Sequence, residues 1–523
     1  MSRAKINIVH WLFISVFSLV AAAPATAEET AQAAGMTLDL NELYRIPSLV
    51  GTKPALIAWS PDSARLAFAW NDHGGAVRNV WLWQKDMKQA RQLYEPGEHQ
   101  PGVSDLTWVD DHRLAYVRAN EIVLHDVGSA EARTMATVNR PRQLSTSPDG
   151  SLLAFVTGEG LFLLDMETVD AEPDRVYSIN DSAIRITGLQ WSASGTRLAF
   201  MKLDATPLPE RTIHYSASGE QKSITVRRAF PGENTALYDV GVLDLDTRET
   251  RILERQDSRD YIWNYGISPD GKRLFINGSD LLIKHHQVDV FDLDSGNREV
   301  FYQEHDPLHL RPDWRVEWAP DGNGLVILTD RNGYLHLFHQ SGPKKDLRRL
   351  TSGAWEVSQF WVATDGQWVY FLANRSHLAD KSLYRVPFGG GEPERLTGGH
   401  GTHQPVFSAG LKNVVSLYSN DGVPHDLFHI DLEKQSSTRI TRSPHTDFYE
   451  QEWATVKYVN FRSRLDGAEL VGRLSVPPDF DPDRSYPLIV GSVYSDSVLN
   501  QWGGRQSHPT WGLDQYLVAQ GYI

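Results

Sequence analysis

The chain has 523 residues, 41% of them apolar, with 16 tryptophans and no cysteine. Lacking cysteine, it has no disulfide, no thiolate chemistry and no Cys-based zinc site, and the apolar fraction excludes a disordered chain. The formal net charge of −15 argues against a nucleic-acid partner, which would need a basic face.

Arg3 and Lys5 form a basic start, followed by an apolar run from Ile8 to Ala23 and then Ala25-Thr26-Ala27. This pattern predicts a signal peptide over 1–27, cut after Ala27, rather than a retained anchor, because the apolar run is short for a spanning helix. Residues 1–27 hold two basic and no acidic residues, so the mature chain carries 49 basic and 66 acidic residues, a net charge of −17. The expected location is the periplasm or cell envelope of a bacterium. No later stretch has the apolar length of a membrane span, so none is expected after cleavage. Residues 28–36 are small and polar and read as a flexible lead.

A β-propeller is predicted over 37–450. One pattern recurs eight times, as a turn of the Ser/Ala-Pro-Asp-Gly type followed by a run such as Leu-Ala-Phe. Trp59-Ser60-Pro61-Asp62 precedes Leu66-Ala67-Phe68, and Ser147-Pro148-Asp149-Gly150 precedes Leu153-Ala154-Phe155. Further copies begin at Trp108, Trp191, Ser268, Trp318 and Ala363, and a degraded copy begins at Phe407. In such a turn Pro presets φ, Asp bonds back to the backbone and Gly takes positive φ. The flanking runs are short and apolar, so each copy is a hairpin. Many copies lead on to an Asp-Leu-Asp type turn, as at Leu243-Asp244-Leu245-Asp246 and Phe291-Asp292-Leu293-Asp294. A four-stranded unit repeated in this way is a propeller blade, and eight blades are expected. Leu38 to Val50 is expected beside the first blade, and Leu203 to Val240 as an insertion reaching out from blade four.

The pattern changes after Arg442. Val456 to Ser463 and Ala468 to Val476 read as strands joined at Leu465-Asp466-Gly467. The continuous apolar run Tyr486 to Tyr494 predicts a buried strand of a parallel sheet. Trp511 to Gly521 has helical spacing, with Leu513, Tyr516 and Leu517 on one face. Tyr522-Ile523 would open a further strand. Strand, helix and strand make the start of an α/β unit, so 451–523 is expected to be the truncated start of an α/β-hydrolase domain. The expected fold class is therefore mainly β: an eight-bladed β-propeller followed by an incomplete α/β-hydrolase domain.

His285-His286, His305 with His309, and His400 with His403 have no HExxH context and no carboxylates at ligand spacing, so no metal site is expected. Gly389-Gly390-Gly391 reads as a hairpin turn, since no Lys-Ser/Thr follows it. No cofactor motif is found.

Several segments, in their order, resemble the dipeptidyl peptidase IV family of the prolyl oligopeptidase clan of serine peptidases. They are Leu203-Asp204-Ala205-Thr206-Pro207-Leu208-Pro209-Glu210, Arg228-Ala229-Phe230-Pro231-Gly232-Glu233-Asn234, Thr351-Ser352-Gly353-Ala354-Trp355-Glu356-Val357 and Tyr486-Pro487-Leu488-Ile489-Val490 with Val493-Tyr494. The likeness runs over about residues 37–523. It implies a propeller capping an α/β-hydrolase and a Ser-Asp-His triad that cleaves short peptides by an acyl-enzyme route. It also implies that Tyr494 donates a hydrogen bond to the developing oxyanion, where plain core packing is the other reading. Three departures stand out. The segment after Val493-Tyr494 is Ser495-Asp496-Ser497 instead of a Gly-Gly-Pro or Ala-Gly-Pro run. The paired glutamates that hold a substrate amine in this family are matched by Asn180-Asp181-Ser182, with Asp181 as the one carboxylate, which also reads as an ordinary turn residue. No Gly-x-Ser-x-Gly nucleophile elbow occurs in these residues, and no triad can be assembled from them. The expected ligand is a peptide, as substrate of a serine peptidase or, alternatively, as ligand of a non-catalytic envelope propeller.

Overall fold

The computed structural model describes residues 38–94, 101–217, 220–255, 257, 260–491, 498–504 and 512–523. The segments read as a signal peptide (1–27) and a lead (28–36), and Tyr494, lie outside the described residues.

Each copy of the repeat closes the turn between the first and second strands of a four-stranded antiparallel blade. The blades span 55–94, 103–137, 142–178, 184–252, 261–305, 315–349, 357–395 and 402–439, eight in all, as the repeat predicts. Blade three shows why the turn needs its residues. Ser147 Oγ donates to Asp149 Oδ1 at 2.6 Å, Gly150 N donates to Ser147 O at 2.9 Å, and Gly150 takes φ +77°.

The second strand of each blade reads as a continuous apolar run because both its faces are covered. A propeller blade packs between two others, so inward and outward positions both meet a neighbouring sheet. Leu153, Ala154 and Phe155 accordingly expose 0% of their surface. Eight apolar clusters fill the eight spaces between adjacent blades, the last joining Leu66, Phe68 and Trp83 of blade one to Val415 and Leu427 of blade eight.

The repeat's tryptophan joins blades by a hydrogen bond as well. The Trp108 indole donates to Ala58 O, Trp191 to Ser145 O and Trp318 to Gly266 O, at 3.0, 3.1 and 2.8 Å, each reaching the inner strand of the preceding blade. Trp59 of blade one does the same to Val406 O of blade eight at 3.0 Å. Every blade is made from one continuous stretch of chain, so side chains such as Trp59 close the ring where no shared strand does.

The insertion in blade four is a separate two-stranded arm, Glu210–Ala217 paired with Glu220–Arg227. After the ring comes the expected hairpin, Thr455–Arg462 paired with Glu469–Val476. The segment before blade one touches that blade where Ser48 N donates to Gly74 O at 2.9 Å. Its apolar side chains pack elsewhere: Leu38, Leu43 and Leu49 form a cluster with Phe448 and Trp502, and Arg45 pairs with Asp447 at 2.8 Å.

Two expectations after the ring are corrected. The run from Tyr486 forms no strand as far as Gly491, and Leu488, Ile489 and Val490 are exposed. Among the described residues its backbone pairs with Ile523: Ile523 N donates to Pro487 O at 3.0 Å and Ile489 N to Ile523 O at 2.9 Å. That pattern is a parallel bridge between Leu488 and Ile523, the connection expected of an α/β unit, but among the described residues no further strand extends it. The helix Leu513–Ala519 buries Gln515 and Val518, while Leu513, Tyr516 and Leu517 stay half-buried. A hydrogen bond sets this rotation: Gln515 Oε1 accepts from Ala454 N at 2.9 Å, which draws a polar residue inward.

Candidate functional site

A cavity of about 810 Å³ opens where the inner strands of blades one, seven and eight begin, closed on one side by residues 498–501. Its walls carry both signs of charge. Lys53, Arg311 and Lys381 face Asp313, Glu356 and Asp380. Most of these residues lie in or beside the connections that lead into inner strands, where the chain leaves one blade's outer edge and turns back toward the axis. Arg311 is the hub of one wall, with Nε 2.5 Å from Asp313 Oδ2 and Nη1 2.5 Å from Glu356 Oε1. Burial, and next the Arg78 guanidinium, lower the Lys53 ammonium below its ordinary range.

The floor is a docking contact. Asp380 is fully buried, with Oδ2 2.7 Å from His400 Nδ1 and Oδ1 accepting from Gly401 N at 3.1 Å. Asn500 Nδ2 donates to the same Oδ1 at 2.9 Å, Asn500 N donates to Ala379 O at 2.7 Å, and Asn500 O accepts from Thr402 Oγ1 at 3.0 Å. Asp421 N donates to Asn500 Oδ1 at 3.1 Å. One asparagine thus fastens residues 498–504 to blades seven and eight. Beside it Asp421 accepts from Arg473 Nε at 2.8 Å and from Tyr458 OH at 2.6 Å, which ties the hairpin to blade eight.

The cavity wall also holds His403, whose Nδ1 lies 3.2 Å from Ser416 Oγ. Burial pushes the His403 pKa down to about 3, with Arg395 adding to the effect. Ser416 is fully buried, so no substrate reaches its oxygen, and the pair holds two strands of blade eight together. The described cavity can bind and orient a ligand carrying charge of either sign, and the hydroxyl beside its histidine, Ser416 Oγ, is closed to substrate.

Asp181 sits on the connection into blade four, exposed, and outside this cavity. Its Oδ1 accepts from Ala183 N at 2.8 Å and its carbonyl from Ile184 N at 3.0 Å, so its side chain shapes a turn. Tyr494 lies outside the described residues. The residues that line the cavity escaped the sequence reading because they are scattered from Lys53 to Gln501. The available signal was charge placed just before inner strands, as in Arg311-Pro312-Asp313 and Trp355-Glu356.

Residues 119–425 match the family model described as the dipeptidyl peptidase IV (DPP IV) N-terminal region. The chain belongs to this family. It is 23% identical to "Probable dipeptidyl-aminopeptidase B" of Podospora anserina, over 79% of this chain and 45% of that protein. It is 20% identical to "Probable dipeptidyl peptidase 4" of Emericella nidulans, over 95% of this chain and 70% of that protein. The crystal structure of Porphyromonas gingivalis dipeptidyl peptidase 4 superposes with a TM-score of 0.71 at 17% identity, covering 89% of this chain and 70% of that one. The chain thus spans from about half to about two thirds of the length of these relatives, and the shared fold is the propeller with the segments around it.

Proposed function

We propose that this protein is an exported serine peptidase of the DPP IV type, and that the residues described here supply the part that admits and holds a peptide. Membership of the DPP IV propeller family carries this reading, and the two-signed cavity at the beginnings of the inner strands suits a zwitterionic peptide. Hydrolysis by the acyl-enzyme route belongs to the whole protein, because these residues contain no Gly-x-Ser-x-Gly segment. In this reading Tyr494 donates to the oxyanion. Asp181 offers at most one carboxylate to a substrate amine, so the protein need not release dipeptides.

The test is a fluorogenic peptide assay on the protein as its gene expresses it, run beside binding of a non-cleavable analogue of the same peptide. Turnover that is lost on labelling with a fluorophosphonate supports the peptidase. Binding with no turnover replaces it with the non-catalytic envelope propeller. Export to the periplasm rests on Arg3, Lys5, the apolar run and Ala25-Thr26-Ala27. The first residue of the secreted protein is expected to be Glu28, and a protein that keeps Met1 in the cytoplasm would refute export.

A further inference from the structure

A second cleft, of about 1030 Å³, lies on the outer flank of the ring between blades five and six. It exists because the two outer strands differ in length: Arg298–His305 in blade five has eight residues, and Arg348–Arg349 in blade six has two. The longer strand is an edge with one neighbour in its sheet, and its residues Glu299 to Gln303 form one bank of the cleft. Phe301, Tyr302 and Phe338 form an apolar floor, all three nearly buried. Gln340 fixes that floor, with Nε2 donating to Phe301 O at 2.8 Å and Gly342 O at 3.0 Å.

The opposite bank is basic. Arg331, Lys344, Lys345 and Arg349 line the cleft and are exposed, against Glu299 and Asp346. Among the described residues none of the four cations is in an ion pair, although most arginines elsewhere on the propeller are. An acidic chain that gathers four uncommitted cations beside a free strand edge has charge to offer an anion and backbone groups to offer an extended chain.

We propose that this cleft binds an acidic peptide segment in extended conformation, added alongside the outer strand of blade five. Its backbone would pair with the edge strand, its carboxylates would face the basic bank, and alternate side chains would rest on the aromatic floor. The inference stands apart from the peptidase reading, since the cleft shares no lining residue with the cavity described above and would serve a binding propeller equally.

The experiment uses the full chain and a fluorescein-labelled, N-acetylated heptapeptide of alternating threonine and glutamate, read by anisotropy at low salt. The acidic peptide is expected to bind and its threonine–lysine counterpart is not. Charge reversal in Lys345→Glu/Arg349→Glu should weaken binding by about tenfold or more, and the milder Arg331→Ala/Lys344→Ala should weaken it less, with thermal midpoints unchanged. Arg175→Ala, on the outer strand of blade three and in neither cavity, should leave the affinity as it is. An acidic peptide that fails to bind, or that binds the charge-reversed protein equally well, overturns the proposal. So does an oligogalacturonate that binds where the peptide does not, which would make the occupant an acidic saccharide.

Discussion

The Trp59 indole of blade one donates to the Val406 carbonyl of blade eight at 3.0 Å. The same reach, repeated by Trp108, Trp191 and Trp318 toward their preceding blades, makes the repeat's tryptophan a fastener between sheets. At Trp59 it closes the ring. Trp59→Phe keeps most of the ring's bulk and removes the donor, so it should cost about 1–3 kcal/mol by leaving a half-buried carbonyl unpaired. Trp191→Phe should cost a similar amount at equilibrium. Urea unfolding of both variants would check this, and a loss below about 0.3 kcal/mol at Trp59 would show that the indole bond does not help close the ring.

Arg473 and Asp421 join the hairpin to blade eight through a pair that is 11% and 15% exposed. Removing one partner leaves the other charge enclosed, which costs about 3–5 kcal/mol for buried pairs. Arg473→Ala should therefore raise amide exchange in Thr455–Arg462 and Glu469–Val476 well before it affects the blades. Uniform exchange across the ring and hairpin would show that the pair does not set the hairpin's docking.

Acid should unfold the protein through its enclosed histidines. Burial pushes His286, His403 and His425 each down to about 3, aided at His403 by Arg395 and at His425 by Lys53. Unfolded, each titrates near 6.5, so the unfolded chain binds more protons below that pH. The stability they contribute is complete above pH 6.5 and is lost as pH falls toward 3, at up to about 1.4 kcal/mol per pH unit for each histidine. His403→Gln should reduce the proton uptake on unfolding at pH 5 by about one. Calorimetry that finds the uptake unchanged would mean that His403 is protonated in the folded state.

Glycines in two equivalent turns should respond differently. A Cβ on Gly150 would stand 2.5 Å from the Val109 carbonyl oxygen, whereas one on Gly195 would meet nothing nearer than Pro148 Cδ at 3.5 Å. Both have positive φ, which alone costs about 1 kcal/mol. Gly195→Ala should lose about that much and Gly150→Ala clearly more, measured as differences in denaturant midpoint. Equal losses would show that the turn of blade three yields without cost.

Arg311 neutralises two carboxylates of the cavity, Asp313 and Glu356. Arg311→Ala should shift the cavity's preference toward cationic peptides by roughly tenfold, as expected when one partner of a close charge pair is removed. Competition between lysine-bearing and glutamate-bearing peptides would measure it, and an unchanged preference would remove this cavity from peptide recognition.

The amino-acid sequence by itself determined the blades. A turn such as Ser147-Pro148-Asp149-Gly150 depends on the φ preferences and side-chain bonds of four consecutive residues, and apolar runs such as Leu153-Ala154-Phe155 record burial on two faces, so both can be read locally. The hairpin around Leu465-Asp466-Gly467 was legible for the same reason. The tertiary structure alone decided what happens between distant segments. It brought Lys53, Arg311, Asp380 and Gln501 to one cavity, turned Gln515 inward to meet Ala454, and left Leu488 to Val490 exposed beside Ile523. Such contacts depend on which surfaces meet after the ring has closed, and no pattern confined to a few neighbouring residues encodes that meeting.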